Sequence, residues 1–229
     1  MKRWLVCLTL ILSLSTLLAS SAPAQSDSAK EKPSKEVQRL EDARVVYQEL
    51  AATEVPKWLL EKCKCVAVIP GVVKGALGFG GRHGKGVLSC SNEAGVWSPP
   101  IFITLSGGSF GLQIGVEKAD VVLFFMNEKG ARSLVESKFT LGGKASVAAG
   151  PVGRTAEAGT DVKLNAEIYS YAKSKGLFAG ISLEGSRLSP DNDALKRFYG
   201  KTAQPESILF QQNAPSRPPA IQPFLEVLP

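Results

Sequence analysis

The sequence predicts an α+β fold: a curled, antiparallel, barrel-like β-sheet with N-terminal and flanking helices. Three observations carry that prediction. Apolar residues recur at helical spacing early in the chain, period-two alternation dominates its middle, and all 22 glycines fall between Gly71 and Gly200. Glycine supplies positive φ and close backbone approach, so a glycine-rich middle with alternating apolar residues means tight strands and turns. The 229 residues are 44% apolar and 21% charged, which excludes a disordered or coiled-coil composition and suits one domain with tails.

The elements follow in order. Lys2 and Arg3 precede an apolar run from Trp4 to Leu18, and Ala22-Pro23-Ala24 supplies a small-x-small cleavage site. Residues 1–24 therefore read as a cleaved signal peptide and 25–33 as a linker, with a periplasmic or secreted location for the mature chain. The run is shorter than the ~20 residues a spanning helix needs. Residues 34–54 form a helix capped by Ser34, with Val37, Leu40, Ala43, Tyr47 and Leu50 at helical spacing. A second, short helix starts at Pro56 and carries Trp58, Leu59 and Leu60.

Strands come next. Ile101–Leu105, Phe110–Val116 and Val162–Ile168 each alternate apolar with polar or small residues, and Val121–Met126 is apolar throughout, as in a strand buried on both faces. Helices are expected at 128–138 and at 190–199, the latter with Ser189 as cap, Pro190 in the first turn and Gly200 after its end. The folded domain then covers 34–200. Residues 201–229 hold six prolines and no glycine and read as a disordered, Pro-rich tail, with Phe224-Leu225 as a possible docking segment.

Chemistry is easier to exclude than to assign. A single histidine removes most His-based catalysis and multi-His metal sites. Of the mature cysteines, Cys63 and Cys65 are too close to bridge comfortably, so Cys90 is the partner of one of them. Strand-end positions favour Cys65–Cys90, and three buried thiols remain the alternative. Three thiols without a fourth ligand make no zinc site. Glu41-Asp42, Asp191 and Asp193 sit on expected helices, where solvation or capping is usual. Nothing forms a catalytic constellation, so no enzyme, metal or cofactor is expected.

The strongest local feature is VIPGVVKGALGFGGRHGKGV, residues 68–87. Gly84-Lys85 is followed by Gly86 rather than Ser or Thr, and G-x-G-x-x-G occurs nowhere, so neither nucleotide motif fits. What remains is a flexible glycine loop carrying Lys74, Arg82, His83 and Lys85, with backbone amides available to an anion. The alternative is a glycine-rich hairpin with solvated charges. The chain's formal charge of +6 is concentrated here: Lys57, Lys62, Lys64, Lys74, Arg82 and Lys85 face Glu61 alone across 57–90, while 34–56 is net acidic. Five net charges near an anionic membrane supply roughly 5 kcal/mol, which is sub-millimolar binding. Tight attachment then needs headgroup recognition or apolar insertion as well. Few aromatics interleave the basic residues, which disfavours nucleic acid.

Ordered motifs add to this reading. VPKWLLEKCKCVAVIPGVVKGALGFGGRHGKGV, GVWSPPIF, GGSFGLQIG, AAGPVGR and YSYAKSKGLFAGISLEGS together resemble the SYLF domain family over about residues 35–200. These are lipid-binding domains, also called an actin-binding family after their yeast members. With its leader, the chain looks like an exported bacterial branch. The resemblance implies a non-enzymatic domain that binds phosphoinositides or other anionic lipids. Two departures matter: the acidic 34–56 helix argues against a purely electrostatic N-terminal anchor, and export removes cytosolic actin. Phosphatidylglycerol, cardiolipin or lipopolysaccharide would replace phosphoinositides. The expected phosphate contacts are Lys74, Arg82 and Lys85, supported by Lys64 and by Arg154 of the GPVGR turn. An envelope protein bound by the tail or an apolar helix face is the alternative partner.

Overall fold

The computed structural model describes residues 33–77, 79–110, 115–136, 139–143, 145–151, 166–174, 176–180 and 183–229. Pro33–Pro229 is one unit. Helix α1 (Lys35–Thr53) begins where its cap does, since Ser34 Oγ accepts from the Val37 N–H at 3.2 Å. It buries Leu40, Ala43, Val46, Tyr47 and Leu50. After α2 (Lys57–Lys62), nine strands among the described residues form one sheet: β1 (Cys65–Leu77), β2 (Phe79–Cys90), β3 (Ile101–Phe110), β4 (Gly115–Phe125), β5 (Phe139–Thr140), β6 (Val147–Ala149), β7 (Ile168–Ser174), β8 (Leu177–Gly180) and β9 (Arg187–Pro190). Between and after them run α3 (Glu128–Glu136), α4 (Asn192–Tyr199), α5 (Pro205–Phe210) and α6 (Gln222–Leu225).

The strand order is β5-β9-β3-β2-β1-β4-β7-β6, with β8 also on β7. All pairs are antiparallel except β6 with β7. Sequence and topology together require curl. Laid flat, seven inter-strand steps would separate β5 from β6 by about 34 Å. Thr140 and Val147 are seven residues apart, and so span at most about 25 Å. The link is shorter still, because Leu141 bridges to Ala145. It ties both edges: Leu141 N–H donates to Ser186 O, and Ser146 O accepts from Ile168 N–H.

The curl gives the sheet a hollow and an outer face. Helix α3 touches both β4 and β9, which are separated by three strands, as only a helix inside the hollow can. Gly130 of α3 lies so close to Phe125 that a Cβ there would be 3.0 Å from the ring. Ile69, Leu88, Leu105, Leu123 and Phe125 share this inner face with the Cys65–Cys90 disulfide, which joins directly paired residues of β1 and β2. Outside, α1 packs Tyr47 on Phe124 with ring centroids 6.3 Å apart, and α4 packs Phe198 on Phe102 at 5.2 Å. Val121–Phe125 is buried on both faces.

Two glycines set the geometry of β1 against β2. An extra residue in β1 makes a bulge at Pro70-Gly71, where Gly71 has φ 58° and donates to Asp120 Oδ1 at 2.8 Å. The bulge also accommodates a proline within a central strand. Opposite it, a Cβ on Gly86 would sit 2.2 Å from Val68 O.

Several expectations are corrected. Residues 68–87 are not a flexible loop but the two long strands of a hairpin, because their glycines let the strands approach and curl. The alternation at Phe110–Val116 belongs to two strands, β3 and β4, which flank the β1–β2 hairpin: Phe110 pairs with Phe79, and Gly115 with Ala76. Ser189 is consumed by pairing with Thr104, so Asp191 caps α4 instead, accepting from Ala194 N–H. The tail is folded. Pro205, Pro219 and Pro223 stand in first turns of short helices, where proline fits, rather than in an extended run. Ile208, Leu209, Ile221, Phe224 and Leu228 are buried, α6 lies against α1, and Trp97 Nε1 donates to Pro229 O. Phe224 therefore belongs to the core and not to a docking segment. The expected leader, the expected linker through residue 32, and residues 162–165 lie outside the described residues.

Two outcomes follow. Gly86→Ala will lose about 1–3 kcal/mol by denaturant titration, since its methyl meets backbone that cannot yield. Deleting 201–229 removes Ile208, Leu209, Ile221, Phe224 and Leu228 from the core, uncovers the apolar surface of α1 and the sheet beneath them, and will leave a chain lacking a cooperative thermal transition.

Candidate functional site

Strand alternation sorts the basic residues. The β2–β3 register runs unbroken from Phe79 to Leu88, so Arg82 and Lys85 point to opposite faces. Lys74 pairs with Arg82, and their row continues to Glu117 on β4 and Gly107 on β3, all on the inner face. Glu117 Oε1 accepts from Ser174 Oγ at 2.7 Å. Arg82 is half-buried, and its Nε is buried with no hydrogen-bond partner among the described residues.

The outer face carries a second row. Lys118, Val73, His83, Ser106 and Arg187 pair successively across β4, β1, β2, β3 and β9. Lys118, His83 and Arg187 are exposed, and so is Val73. Val116, two residues before Lys118 and on the same face, is 77% exposed. Both rows lie toward the hairpin's tip, on the stretch of β1 and β2 beyond the bulge. Lys118 and Arg187 escaped the sequence reading. They are 35 or more residues from His83, and only the register brings the three together.

The other expected contacts fall elsewhere. Lys85 Nζ reaches Asp191 Oδ2 at 2.9 Å, so its charge is spent within the fold rather than offered to a phosphate. Arg39 of α1 binds the same oxygen at 3.2 Å and lies over the Phe102 ring at 5.2 Å. Asp191 thus clamps α1, α4 and β2. Burial pulls its carboxyl pKa up, but the bonds from Lys85, the Ala194 N–H and Arg39 outweigh that and hold it below the ordinary value. Lys64 is exposed at the other end of β1, about 30 Å of strand from Lys74. Arg154 lies outside the described residues. Burial pushes the Cys63 thiol up to about 12, and it donates to Leu60 O, so it is a packing group rather than a nucleophile. No group of three metal-ligating side chains is present among the described residues.

The fold is a curled-sheet domain with a cluster of exposed basic residues at one end of a long hairpin. The chain belongs to the Ysc84 (SYLF) family: residues 106–229 match the family described as "Las17-binding protein actin regulator". It is similar to protein YSC84 of Saccharomyces cerevisiae, 38% identical over 177 residues, covering 76% of this chain and 37% of the yeast protein. It is also similar to yeast LAS seventeen-binding protein 3, 37% identical, with 76% and 38% covered. The SH3 domain-containing YSC84-like protein 1 of Xenopus laevis is 36% identical over 148 residues, with 64% and 44% covered. The chain spans less than half the length of these relatives, which are named as binding or regulatory proteins. The match to 106–229 includes the C-terminal segment that packs on α1.

Asp191→Asn retains a capping oxygen but leaves the largely buried Arg39 without its carboxylate. We expect a loss of about 2–3 kcal/mol in urea titrations at neutral pH. Because folding lowers the Asp191 pKa, its contribution is present above the unfolded aspartate range and fades as pH falls through the folded value. The gap between wild type and variant should therefore narrow in acid; a gap that persists unchanged would contradict the clamp.

Proposed function

We propose that this domain is a non-catalytic module that binds anionic lipid headgroups with the distal end of its curled sheet. In this reading the leader exports it, and it meets the membrane in the periplasm or outside the cell. The carrying observation is the exposed outer row, where Lys118, His83 and Arg187 flank Val73 and stand beside the 77% exposed Val116. Charge with adjoining apolar side chains suits an interface where headgroups lie above acyl chains. No helix among the described residues is long and apolar enough to cross a membrane.

Magnitudes support reversible attachment. Lys118 and Arg187 at ~1 kcal/mol each, plus partial insertion of Val116, give about 3–4 kcal/mol. That is binding in the range of about 1–5 mM, which avidity on a surface or a headgroup seat would raise.

Co-sedimentation with vesicles of graded phosphatidylglycerol content tests the reading. Bound fraction should rise with anionic content, fall severalfold in Lys118→Glu/Arg187→Glu, and fall in Val116→Asp. Lys85→Ala should bind as the wild type does, since Lys85 is already paired with Asp191. Equal binding to neutral and anionic vesicles, or no effect of the double charge reversal, would sink it. The relatives' names favour a second reading, capture of a protein partner. An acidic polypeptide retained by the outer row with no response to vesicles would support that instead.

A further inference from the structure

The chain has a single histidine, and the sheet places it at the centre of the exposed outer row. His83 is exposed on β2, with Val73 beside it on β1 and Ser106 beside it on β3. One strand further out on either side stand Lys118 of β4 and Arg187 of β9, both exposed. Each cation is thus two strand spacings, roughly 10 Å along the sheet, from the imidazole. None of the five residues is acidic, and neither His83, Lys118 nor Arg187 has an ion pair among the described residues.

The acids around the row are held by other partners. Lys85, two residues from His83 on the same face, shares Asp191 with Arg39 of α1. Asp120, two residues from Lys118 on the same face, accepts from Gly71 N–H and stands opposite Lys173, which binds Glu49 of α1. Helix α1 packs on both β1 and β2; in it Asp42 accepts from Gln38 Nε2, and Glu41 pairs with Arg44. Glu36 binds Arg197 of α4, on which Asp193 also acts. Helix α5, which also touches β2, packs with α3 and carries Glu206. Glu117, next to Lys118, turns to the inner face with Lys74 and Arg82, and accepts from Ser174.

Histidine is the side chain whose charge ordinarily changes between about pH 5 and 8. We infer that His83 makes the outer row acid-responsive, so that the domain holds an anionic bilayer more tightly in mildly acidic than in neutral medium. The inference rests on the membrane reading of this same row. With a neutral imidazole the row offers two cations, Lys118 and Arg187; protonation makes three in a line. In free solution the flanking cations oppose the third charge, and an anionic surface offsets that opposition. Protonation therefore favours the bound state, and binding favours the protonated state by the same factor. The new charge falls on the face that meets the bilayer, beside the exposed Val73. One added charge there is worth about fivefold in affinity, equivalent to ~1 kcal/mol.

The test is co-sedimentation of the full chain with phosphatidylglycerol-containing vesicles at about pH 5.5 and about pH 7.5, at one ionic strength. A phosphodiester stays ionised across this range, so a change in binding originates in the protein. The wild type should bind about fivefold more tightly in acid. His83→Gln, an exposed substitution, should bind equally at both pH values, at the wild type's neutral level. His83→Arg should also bind equally at both, but at the wild type's acid level. Vesicles of phosphatidylcholine alone should show no rise in acid. A rise that survives in His83→Gln would overturn the proposal by placing the response in carboxylates such as Asp42 or Glu49. A comparable rise on phosphatidylcholine would overturn it by removing charge as the cause. Wild-type binding to anionic vesicles that is equal at both pH values would refute the switch and leave the membrane reading standing. Absence of that binding at either pH would refute both.

Discussion

Everything in this domain depends on how closely β1 and β2 approach at Gly86. With only 2.2 Å between the site of a Cβ and Val68 O, no side chain can stand there. The sheet is free to fold sharply across that line, with the Pro70-Gly71 bulge supplying the extra residue that the bend needs. From the bend comes the hollow. It takes α3 at one end and leaves the other end to Lys74, Arg82 and Glu117. The outer face gains the convex surface on which α1 and α4 lie, with Asp191 as their shared anchor to β2. Moving the register by one residue would exchange Arg82 with His83 and send the inner charges outward.

Much of this was legible. Ser34 and the apolar spacing after it located α1, because a local cap and a local period need no tertiary knowledge. The apolar run at Val121–Phe125 announced a strand buried on both sides, and it lies between β1 and β7 near the sheet's centre. What stayed hidden depends on long-range pairing. Ser189 and Asp191 are both good caps by residue type. The choice falls to Asp191 because β3 recruits Ser189 into the sheet and because Lys85 and Arg39 converge on the carboxylate. The prolines of the C-terminal segment misled for the same reason. Proline marks an extended chain or a first helical turn equally well, and only Phe224 and Ile221 finding a place beside α1 settles which.

The functional end shows the same limit more sharply. Composition placed the charge excess in 57–90, but it could not say that Lys85 is committed to the fold while Arg82 is not. Nor could it find Lys118 and Arg187, whose neighbours in sequence give no hint that His83 lies between them. A row that crosses five strands is written in four separate registers, and no single segment contains it.

Local consistency is what lets a sequence specify one structure, and the places that violate it are informative. In this domain the clamp around Asp191 obeys every rule: opposite charges, a capped helix and short bonds. The distal end breaks several at once. Like charges face each other at Lys74 and Arg82, a valine stands 77% exposed at 116, and two buried polar atoms go unanswered. A stable core of aromatic and aliphatic contacts carries these violations without difficulty, since each amounts to a small fraction of what the sheet and helices bury. They occupy one end of the sheet, on both of its faces, and an anionic, partly apolar surface would relieve those exposed on the outer face. That convergence is stronger evidence for a binding end than the net charge of the chain, most of whose basic groups are either paired or scattered.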